Sequence, residues 1–395
     1  MPRFEAFQAL RYAQSLHLSD VTAPPYDVVS ESERLALCAR HPNNISRLDM
    51  PSGVDAYRVA GNTLRQWIVD AVLFQDEAPT FTLYRMSFID PLGTQRSTVG
   101  VLGALEVVDE GAGGVLPHEL TTAKAKTDRL ELTRATDANL SPVWGLSLAT
   151  GLSRTLTAPG ELLGMLTDPD GVVHSVERVS DPNRVAEISQ SVSTHNVVIA
   201  DGHHRYAISR TFRDEVRRRT RRLDTAAELT LAYVGELTED QLSVAAIHRV
   251  YRDISTSDLR KALSLSFDIE NAGSLTAMTL QHMTDRGALC LLLADRSIAW
   301  MKPKPEKFVG IRRLDSALLE HALAATTHAV GYQHDLDELC RQLADNNATA
   351  AILIRPVSVA EIMRTATEGL LMPPKSTFFT PKLRTGLVLR PMNTN

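Results

Sequence analysis

The residues with the clearest chemical potential form one short segment, the sequence ADGHHRY at positions 200–206. The apolar run at 196–200 predicts a short buried strand, and the residues after the segment predict a long helix. A glycine turn between a strand and a helix presents backbone N–H groups at the positive end of the helix dipole, where phosphate is the usual ligand. An arginine in the first helical turn adds a bidentate contact to phosphate. The segment therefore predicts a phosphate site made of Gly202, His203, His204 and Arg205.

Asp201 limits the ligands that this segment can bind, because a carboxylate repels a bare phosphate. It is better suited to hold Mg²⁺ or to act as a general base near an attacking hydroxyl. A simpler interpretation is that Asp201 caps the helix and that the two histidines lie on the surface. Zinc binding by His203 and His204 is a third interpretation, although adjacent helical residues point about 100° apart and one ion rarely takes both.

Two further polar segments carry candidate phosphate ligands. The first follows a glycine-rich loop and contributes His118, Glu119, Lys126 and Arg129. The second, MPPKSTFFTPK at 372–382, contributes Lys375, Ser376 and Thr377. Lysine supplies only eight of the 42 basic residues, and half of the eight lie in these two segments, where a compact point charge suits a phosphate. A solvated helix start and a proline-rich turn are the structural alternatives.

Several classes of protein are excluded by composition and by missing motifs. The sequence has no GxxxxGK[ST], GxGxxG, HExxH or GxSxG segment. Its net charge of −5 argues against a non-specific nucleic-acid coat. Three widely spaced cysteines fit neither a disulfide framework nor a cysteine-rich zinc site. No apolar run approaches the ~18 residues of a membrane span and no signal peptide is recognisable, so we expect a cytoplasmic protein.

Helix and strand signals alternate along the chain without an internal repeat. A capping box at Ser30 and Glu33 predicts a helix. Ile208, Phe212 and Val216 recur at helical spacing and predict the buried face of the helix that follows the glycine turn.

The length of 395 residues predicts two or three domains. The character of the sequence changes near residue 254, where a smaller α/β module with a hairpin at 289–301 begins. We therefore predict a first domain of residues 1–254 and a second of residues 255–395 that ends with the PPKST segment.

Four segments, taken in order, resemble a widespread prokaryotic family of unknown function. They are APPYDVV at 23–29, His118-Glu119 with Asp128-Arg129, ADGHHRY at 200–206 and PPKSTFFTPK at 373–382. The resemblance covers nearly the whole chain. It marks as further residues of the family's segments Tyr26, Asp27, Asn44, His248 and Arg249. The chain departs from the family where Ala246-Ile247 replaces Pro-Thr before His248, and where Thr380 replaces a tyrosine.

The DGHHR part is in turn similar to the signature turn of the ParB/sulfiredoxin-like superfamily, which includes partition-protein CTP switches, sulfiredoxins and free-serine kinases. This similarity implies an α/β (α+β) fold with a ParB/sulfiredoxin-like nucleotide-binding core and a smaller C-terminal α/β module. It also implies that the glycine turn holds nucleotide phosphates, with Asp201 near the metal or the acceptor hydroxyl. His203 stands where sulfiredoxins have cysteine, which argues against sulfinic-acid reduction.

These features predict a nucleotide-dependent phosphotransferase that acts on a small hydroxylated metabolite such as free serine. Its cofactor would be ATP, ADP or CTP with Mg²⁺, and Asp201 would be the metal ligand. Asp201, Glu119 and His118 are the expected catalytic residues, and Lys126 or Lys375 would neutralise charge. The alternatives are a nucleotide-binding switch of the partition-protein type and a metal-dependent hydrolase. A nucleotide and a small substrate are the expected partners, without a membrane or nucleic acid; the oligomeric state stays open.

Overall fold

The computed structural model describes residues 1–90, 93–119 and 126–394, without the side chains of Lys126 and Thr127. The architecture is mixed α/β, as the sequence predicts. The chain divides into two compact units. The first contains Met1–Ser243, Ala366–Gly369 and Pro381–Asn395, and the second contains Val244–Thr365 and Leu370–Thr380.

The strands and helices of the described residues are numbered in chain order. The strands are β1 (Phe4–Glu5), β2 (Leu10–Tyr12), β3 (Leu73–Gln75), β4 (Phe81–Ile89), β5 (Gln95–Glu106), β6 (Val115–Pro117), β7 (Ala138–Asn139), β8 (Val143–Ser147), β9 (Glu161–Thr167), β10 (Val173–Val179), β11 (Val197–Asp201), β12 (Leu229–Glu236), β13 (Ser243–Ala245), β14 (His248–Arg252), β15 (Phe267–Ser274), β16 (Leu289–Leu292), β17 (Ser297–Pro303), β18 (Ala329–Gln333), β19 (Ala350–Leu353), β20 (Phe378–Thr380) and β21 (Arg390–Pro391). The α-helices are α1 (Leu18–Val21), α2 (Glu31–Arg40), α3 (Ser46–Asp49), α4 (Ala56–Val69), α5 (Lys126–Thr136), α6 (Leu152–Thr155), α7 (Pro182–Ser193), α8 (His203–Thr220), α9 (Thr256–Ser264), α10 (Thr279–Arg286), α11 (Asp315–Leu323), α12 (Leu336–Ala344) and α13 (Val359–Thr367).

A nine-stranded mixed sheet organises the first unit. Its strand order is β6-β11-β8-β12-β5-β4-β10-β9, with β1 paired to β5. The pairs β6–β11 and β8–β12 are parallel, and the other pairs are antiparallel. The strand that leads into the glycine turn, β11, therefore lies between β6 and β8.

The elements on either side of the glycine turn form for local reasons that the sequence shows. Residues 197–200 of β11 are all buried, which is typical of a strand covered on both faces. Ile208, Phe212 and Val216 are buried on α8, which confirms the predicted apolar face of this helix.

The predicted capping box at the start of α2 is also confirmed. The Ser30 hydroxyl accepts from the Glu33 backbone N–H, and the Glu33 carboxylate accepts from the Ser30 backbone N–H at 2.7 Å. Reciprocal capping of this kind satisfies two of the otherwise unpaired donors of a helix start.

Among the described residues, three hydrophobic clusters lie in the first unit, and the two largest hold its main elements together. One packs sheet residues such as Phe4 and Val197 against Ile188 of α7 and Tyr206 of α8. The other joins residues of α2, α3, α4 and α5, and it includes Leu48, Leu64 and Leu132. The second cluster positions the ends of α3 and α5, which become important below.

The final segment of the chain, Pro381–Asn395, belongs to the first unit, whereas the sequence-based division assigns it to the second domain. Leu389 exchanges two backbone hydrogen bonds of 2.9 Å with Leu10, and β21 pairs with β7. These pairings join residues far apart in sequence, and they leave no local signal that composition or periodicity detects.

The second unit is built on a six-stranded antiparallel sheet with the order β15-β17-β16-β19-β14-β18. The predicted hairpin is present as β16 and β17. Leucines of α9 and α11 pack into one hydrophobic cluster with the sheet, and residues of α10 and α12 pack into another. The unit thus has its own core, as expected of a domain.

Candidate functional site

The turn between β11 and α8 requires glycine at position 202. Gly202 has a φ of +87°, in the left-handed region that residues with a side chain rarely adopt. A Cβ atom there would lie 3.2 Å from Cζ and Nε of Arg205 and 3.3 Å from Cα of Val143. Glycine also brings no side chain that could cap α8. The sequence therefore places an uncapped helix start directly after Asp201.

Arg205 is held by groups of the protein itself. Its Nη2 donates to Oδ2 of Asp201 at 3.1 Å, and its Nη1 donates to the carbonyl of Pro142. Burial works to lower the pKa of this guanidinium, but Asp201 and Asp27 outweigh burial and the pKa is raised. The positive charge of Arg205 is thus fixed at the first turn of α8.

Asp201 binds a second cation, Lys382, whose Nζ lies 3.6 Å from Oδ2 of the carboxylate. Burial alone would raise the pKa of Asp201, but Lys382 and Arg205 together hold it well below its ordinary value. The carboxylate is therefore ionised throughout the neutral range. A carboxylate with a low pKa is a good partner for cations and a weak proton acceptor.

Two neutral histidines line the other side of the turn. His118 follows β6, and its ring centroid lies 5.0 Å from that of His203. Burial lowers the pKa of His118 to about 4 and that of His203 to about 3. Nδ1 of His118 donates to the carbonyl of Ile199 at 2.5 Å, so Nε2 of His118 carries the lone pair. Nε2 of His203 is buried and has no hydrogen-bond partner among the described residues.

Arg129, Tyr26 and Asp49 form a second group within the first unit. Cζ of Arg129 lies 3.4 Å above the centroid of the Tyr26 ring, a cation–π contact. Nη1 of Arg129 donates to the backbone carbonyl of Asp49 and, at 3.2 Å, to its Oδ1. Asp49 is only 2% exposed, and burial raises the pKa of its carboxyl. Its Oδ2 is buried and finds no partner in the described part of the chain.

A small cavity of about 50 Å³ joins this group to the glycine turn. Tyr26, Asp49, Arg129 and Arg205 all line it, together with Ser141 and other residues of the first unit. The space has room for a small polar group. Asp49 thus lines the same space as the two arginines.

Carboxylates accompany the cations of this site among the described residues. Asp27, Asp49 and Asp201 interact with Arg129, Arg205 and Lys382, and Asp128 lies 4.0 Å from Nε of Arg129. These carboxylates weaken the attraction of the site for a bare polyanion. An anion that brings its own cation avoids this cost.

Other predicted residues of the first unit have different positions. Asn44 is fully buried, and its amide holds the backbone before α3, donating to Asp20 and Thr22 and accepting from Ser46. Glu119 and His204 are partly exposed. The side chain of Lys126 lies outside the described residues, as does the segment 120–125.

The remaining predicted residues lie in the second unit. Arg249 donates to the carbonyls of Ile247 and Lys375, and Ser376 donates to the carbonyl of Pro373. His248 accepts from the backbone N–H of Ile354, and burial lowers its pKa to about 4. Thr377 belongs to the same segment. The hydrogen bonds of Arg249 and Ser376 thus hold the PPKST segment in place within the second unit.

Two residues of the site were missed as site residues by sequence reasoning. Lys382 stands at the end of the PPKSTFFTPK segment, where its membership of a lysine-containing segment was the available signal. Asp49 follows the NISRL residues without any motif of its own. An acid between Leu48 and Met50 in an apolar stretch is the weak signal that could have found it, because buried acids are rare unless they have a role.

Two absences bear on the alternatives. No group of three or more His, Cys, Asp or Glu side chains in the described ranges could hold a metal ion. No helix within these ranges is long and apolar enough to cross a bilayer.

The chain belongs to the family described as "Protein of unknown function (DUF1015)", whose model matches residues 4–317. This match confirms the resemblance seen in the ordered segments. No curated protein sequence matches the chain.

Solved structures give three likenesses. Free serine kinase in complex with AMP has 12% identity and a TM-score of 0.37, over 69% of this chain and 89% of that chain. SbnI with a C-terminal truncation, from Staphylococcus aureus, has 13% identity and a TM-score of 0.40, over 72% and 87%. A conserved hypothetical protein from Pyrococcus furiosus has 12% identity and a TM-score of 0.37, over 68% and 87%.

Substituting Gly202→Ala should destabilise the first unit by more than backbone strain alone. Gly151 is the matched control, because it also precedes a helix, has a φ of +92° and would place its Cβ in open space. Both variants should lose about 1–2 kcal/mol for the left-handed conformation. Gly202→Ala should lose more, since Arg205 or Val143 must move. Urea unfolding measures both, and equal losses would show that the contact with Arg205 is unimportant.

Substituting Asp201→Asn should reduce stability in a pH-dependent manner. The pKa of Asp201 is lowered by folding, so its contribution is present above the ordinary value of 3.8 and fades as pH falls toward the folded pKa. We expect a loss of about 1–3 kcal/mol at pH 7, the usual cost of removing one partner of a buried hydrogen bond, that shrinks below pH 4. The exposed pair of Asp55 with Arg58 provides the control Asp55→Asn, which should change little. A pH-independent difference would contradict the ion-pair interpretation.

Proposed function

We propose that this protein is a phosphotransferase that uses a Mg²⁺-nucleotide, namely ATP, ADP or CTP, to phosphorylate a hydroxyl of a small metabolite such as free serine. The observation that carries the proposal is the uncapped start of α8 beside a small cavity lined by Arg129, Arg205 and Asp49. Phosphoryl transfer requires exactly such positioning and charge neutralisation, with little covalent chemistry from the protein.

The start of α8 is the proposed phosphate position. Backbone N–H groups at a helix start favour anions through hydrogen bonding and the helix dipole. Nε2 of His203 is buried there without a partner among described atoms, so a ligand that completes its hydrogen bonding stabilises the site. Lys382 and Arg205 supply positive charge at the same turn.

Magnesium fits this site as part of the nucleotide rather than as a resident ion. Mg²⁺ is usually held by one or two carboxylates together with phosphates and water. Asp201 is the carboxylate at the turn and would be the ligand from the protein. The ion would neutralise phosphate charge beside the carboxylates of the site.

The small cavity is the proposed position of the reacting end of the acceptor. Its volume of about 50 Å³ has room for a hydroxymethyl group. His118, with a neutral ring and a fixed Nδ1–H, and Glu119 are the proposed polar groups beside the turn. Lys126, Lys375, Ser376 and Thr377 are kept as proposed phosphate contacts.

Calorimetry with Mg·ATP, Mg·ADP, Mg·CTP and Mg·GTP tests the nucleotide part of the proposal. We expect a dissociation constant of about 1 mM or tighter for at least one nucleotide, which corresponds to ~4 kcal/mol or more. Removing Mg²⁺ should weaken binding, because the carboxylates of the site repel a bare phosphate. No heat and no thermal shift with any nucleotide would refute the phosphate site.

Mass spectrometry after incubation with serine and other small alcohols then distinguishes an enzyme from a switch. A phosphorylated product supports transfer. Nucleotide binding without any product would instead favour the nucleotide-binding switch.

Alanine substitution of the two histidines separates phosphate binding from metal-dependent hydrolysis. His203→Ala and His204→Ala should each weaken nucleotide binding several-fold without releasing metal, because no metal-binding group of three ligands appears among described residues. His195→Ala, at an exposed site in the same unit, is the control. One equivalent of zinc in the wild-type protein, lost in either variant, would favour the hydrolase.

A further inference from the structure

We propose that Oδ2 of Asp49 accepts the proton of the attacking hydroxyl, so that Asp49, rather than Asp201, is the general base of phosphoryl transfer. The inference rests on the proposed function and identifies the residue that activates the acceptor. Two observations support it: Oδ2 of Asp49 is buried without a hydrogen-bond partner among the described residues, and Asp49 lines the cavity that Arg129 and Arg205 also line.

The orphan oxygen is the first argument. A buried carboxylate oxygen without a hydrogen bond costs about 1–3 kcal/mol or more, so a native structure rarely keeps one without a use. Asp49 is only 2% exposed, and Oδ1 is already occupied by Arg129. A hydroxyl that enters the cavity would give Oδ2 the missing donor.

The contrast between the two acids is the second argument. Oδ2 of Asp201 is paired with Arg205 and Lys382, which keeps that carboxylate a poor proton acceptor. Burial raises the pKa of Asp49, with Arg129 and Arg205 working against the rise and Asp27 adding to it. A general base works best when its pKa approaches the working pH. When two acids lie in environments that shift their pKa values in opposite directions, the two commonly have different roles in catalysis.

The groups that face Asp49 come from every element packed around it. Arg129 of α5 binds its Oδ1, Arg205 of α8 lines the same cavity, and Tyr26 and Asp27 lie on the 3₁₀ turn Tyr26–Val28. Two further acids pair with these arginines: Asp128 lies 4.0 Å from Nε of Arg129, and Asp201 lies 3.1 Å from Nη2 of Arg205. Burial raises the pKa of Asp49, whereas the pKa of Asp201 is lowered.

The step balances without any further reactant. The acceptor oxygen forms a new bond to the terminal phosphorus, and the bond between that phosphorus and the leaving nucleotide oxygen breaks. The hydroxyl proton passes to Oδ2 of Asp49 and leaves to water after the phosphorylated product departs. Nothing is oxidised or reduced.

Asp49→Asn tests the inference because the amide keeps the shape of the side chain and loses the base. With Mg·ATP, Mg·ADP or Mg·CTP and serine as the acceptor probe, kcat should fall ~10²-fold or more. The dissociation constant of the nucleotide should stay within about threefold. Removing a buried carboxylate whose pKa is raised should not lower Tm. The control Asp70→Asn, at an exposed site on the cap of α4, should match the wild-type protein.

A pH–rate profile adds a readout that a structural role would not move. In the wild-type protein kcat/KM should rise with pH as Asp49 loses its proton, and Asp70→Asn should keep this rise. Asp49→Asn should show residual activity without that limb. A wild-type profile without an acid limb above pH 3.8, the ordinary pKa of this carboxyl, would overturn the role of Asp49, whatever the variant does.

The remaining outcomes separate this inference from the function on which it rests. Transfer at equal rates by the wild-type protein and Asp49→Asn overturns Asp49 alone. Loss of nucleotide binding together with a marked drop in Tm assigns Asp49 to the fold and overturns its role as base. No transfer by the wild-type protein with any acceptor overturns both the phosphotransferase and its base.

Discussion

The guanidinium of Arg205 lies between the Asp201 carboxylate and the Pro142 carbonyl, against the backbone of Gly202, and this contact fixes the geometry where β11 ends and α8 begins. Without Arg205 and Lys382, the ionised carboxylate would lie at the start of a helix with no partner of opposite charge from a side chain. The pairing leaves the helix start uncapped and keeps two cations beside it. Both effects depend on the left-handed backbone conformation of Gly202.

Arg205 also interacts with acids other than Asp201, because Asp27 and Asp49 contribute to its raised pKa. Arg129 pairs with Asp49, and Lys382 pairs with Asp201. Burial outweighs the two arginines at Asp49, so its pKa is raised, and its Oδ2 has no partner among the described residues. Asp201 is therefore suited to bind cations, whereas Asp49 is a candidate proton acceptor, although both are aspartates of the same unit.

The two histidines at the turn, His118 and His203, are neutral, unlike the aspartates and the cations around them. Desolvation lowers the pKa of both rings well below the neutral range, and Arg205 adds to this effect at His203. They act at the turn as hydrogen-bonding groups without charge. The positive charge at this site thus comes from Arg205, Arg129 and Lys382. The rings of His118 and His203 contribute only short-range contacts.

The sequence by itself determined the features that depend on neighbours in the chain. The apolar run of β11, the glycine turn, the buried face of α8 and the capping box of α2 were predicted from spacing and residue type, because local sterics and periodicity decide them. The segments that carry the family resemblance could also be identified from the sequence, because each is a short run of residues. Only the tertiary structure decided that Arg205 turns toward Asp201, that Lys382 joins it and that Asp49 lines the cavity. Those contacts depend on long-range pairing, such as that of Leu389 with Leu10, and on which side chains share a buried space, and neither leaves a periodic mark on the sequence.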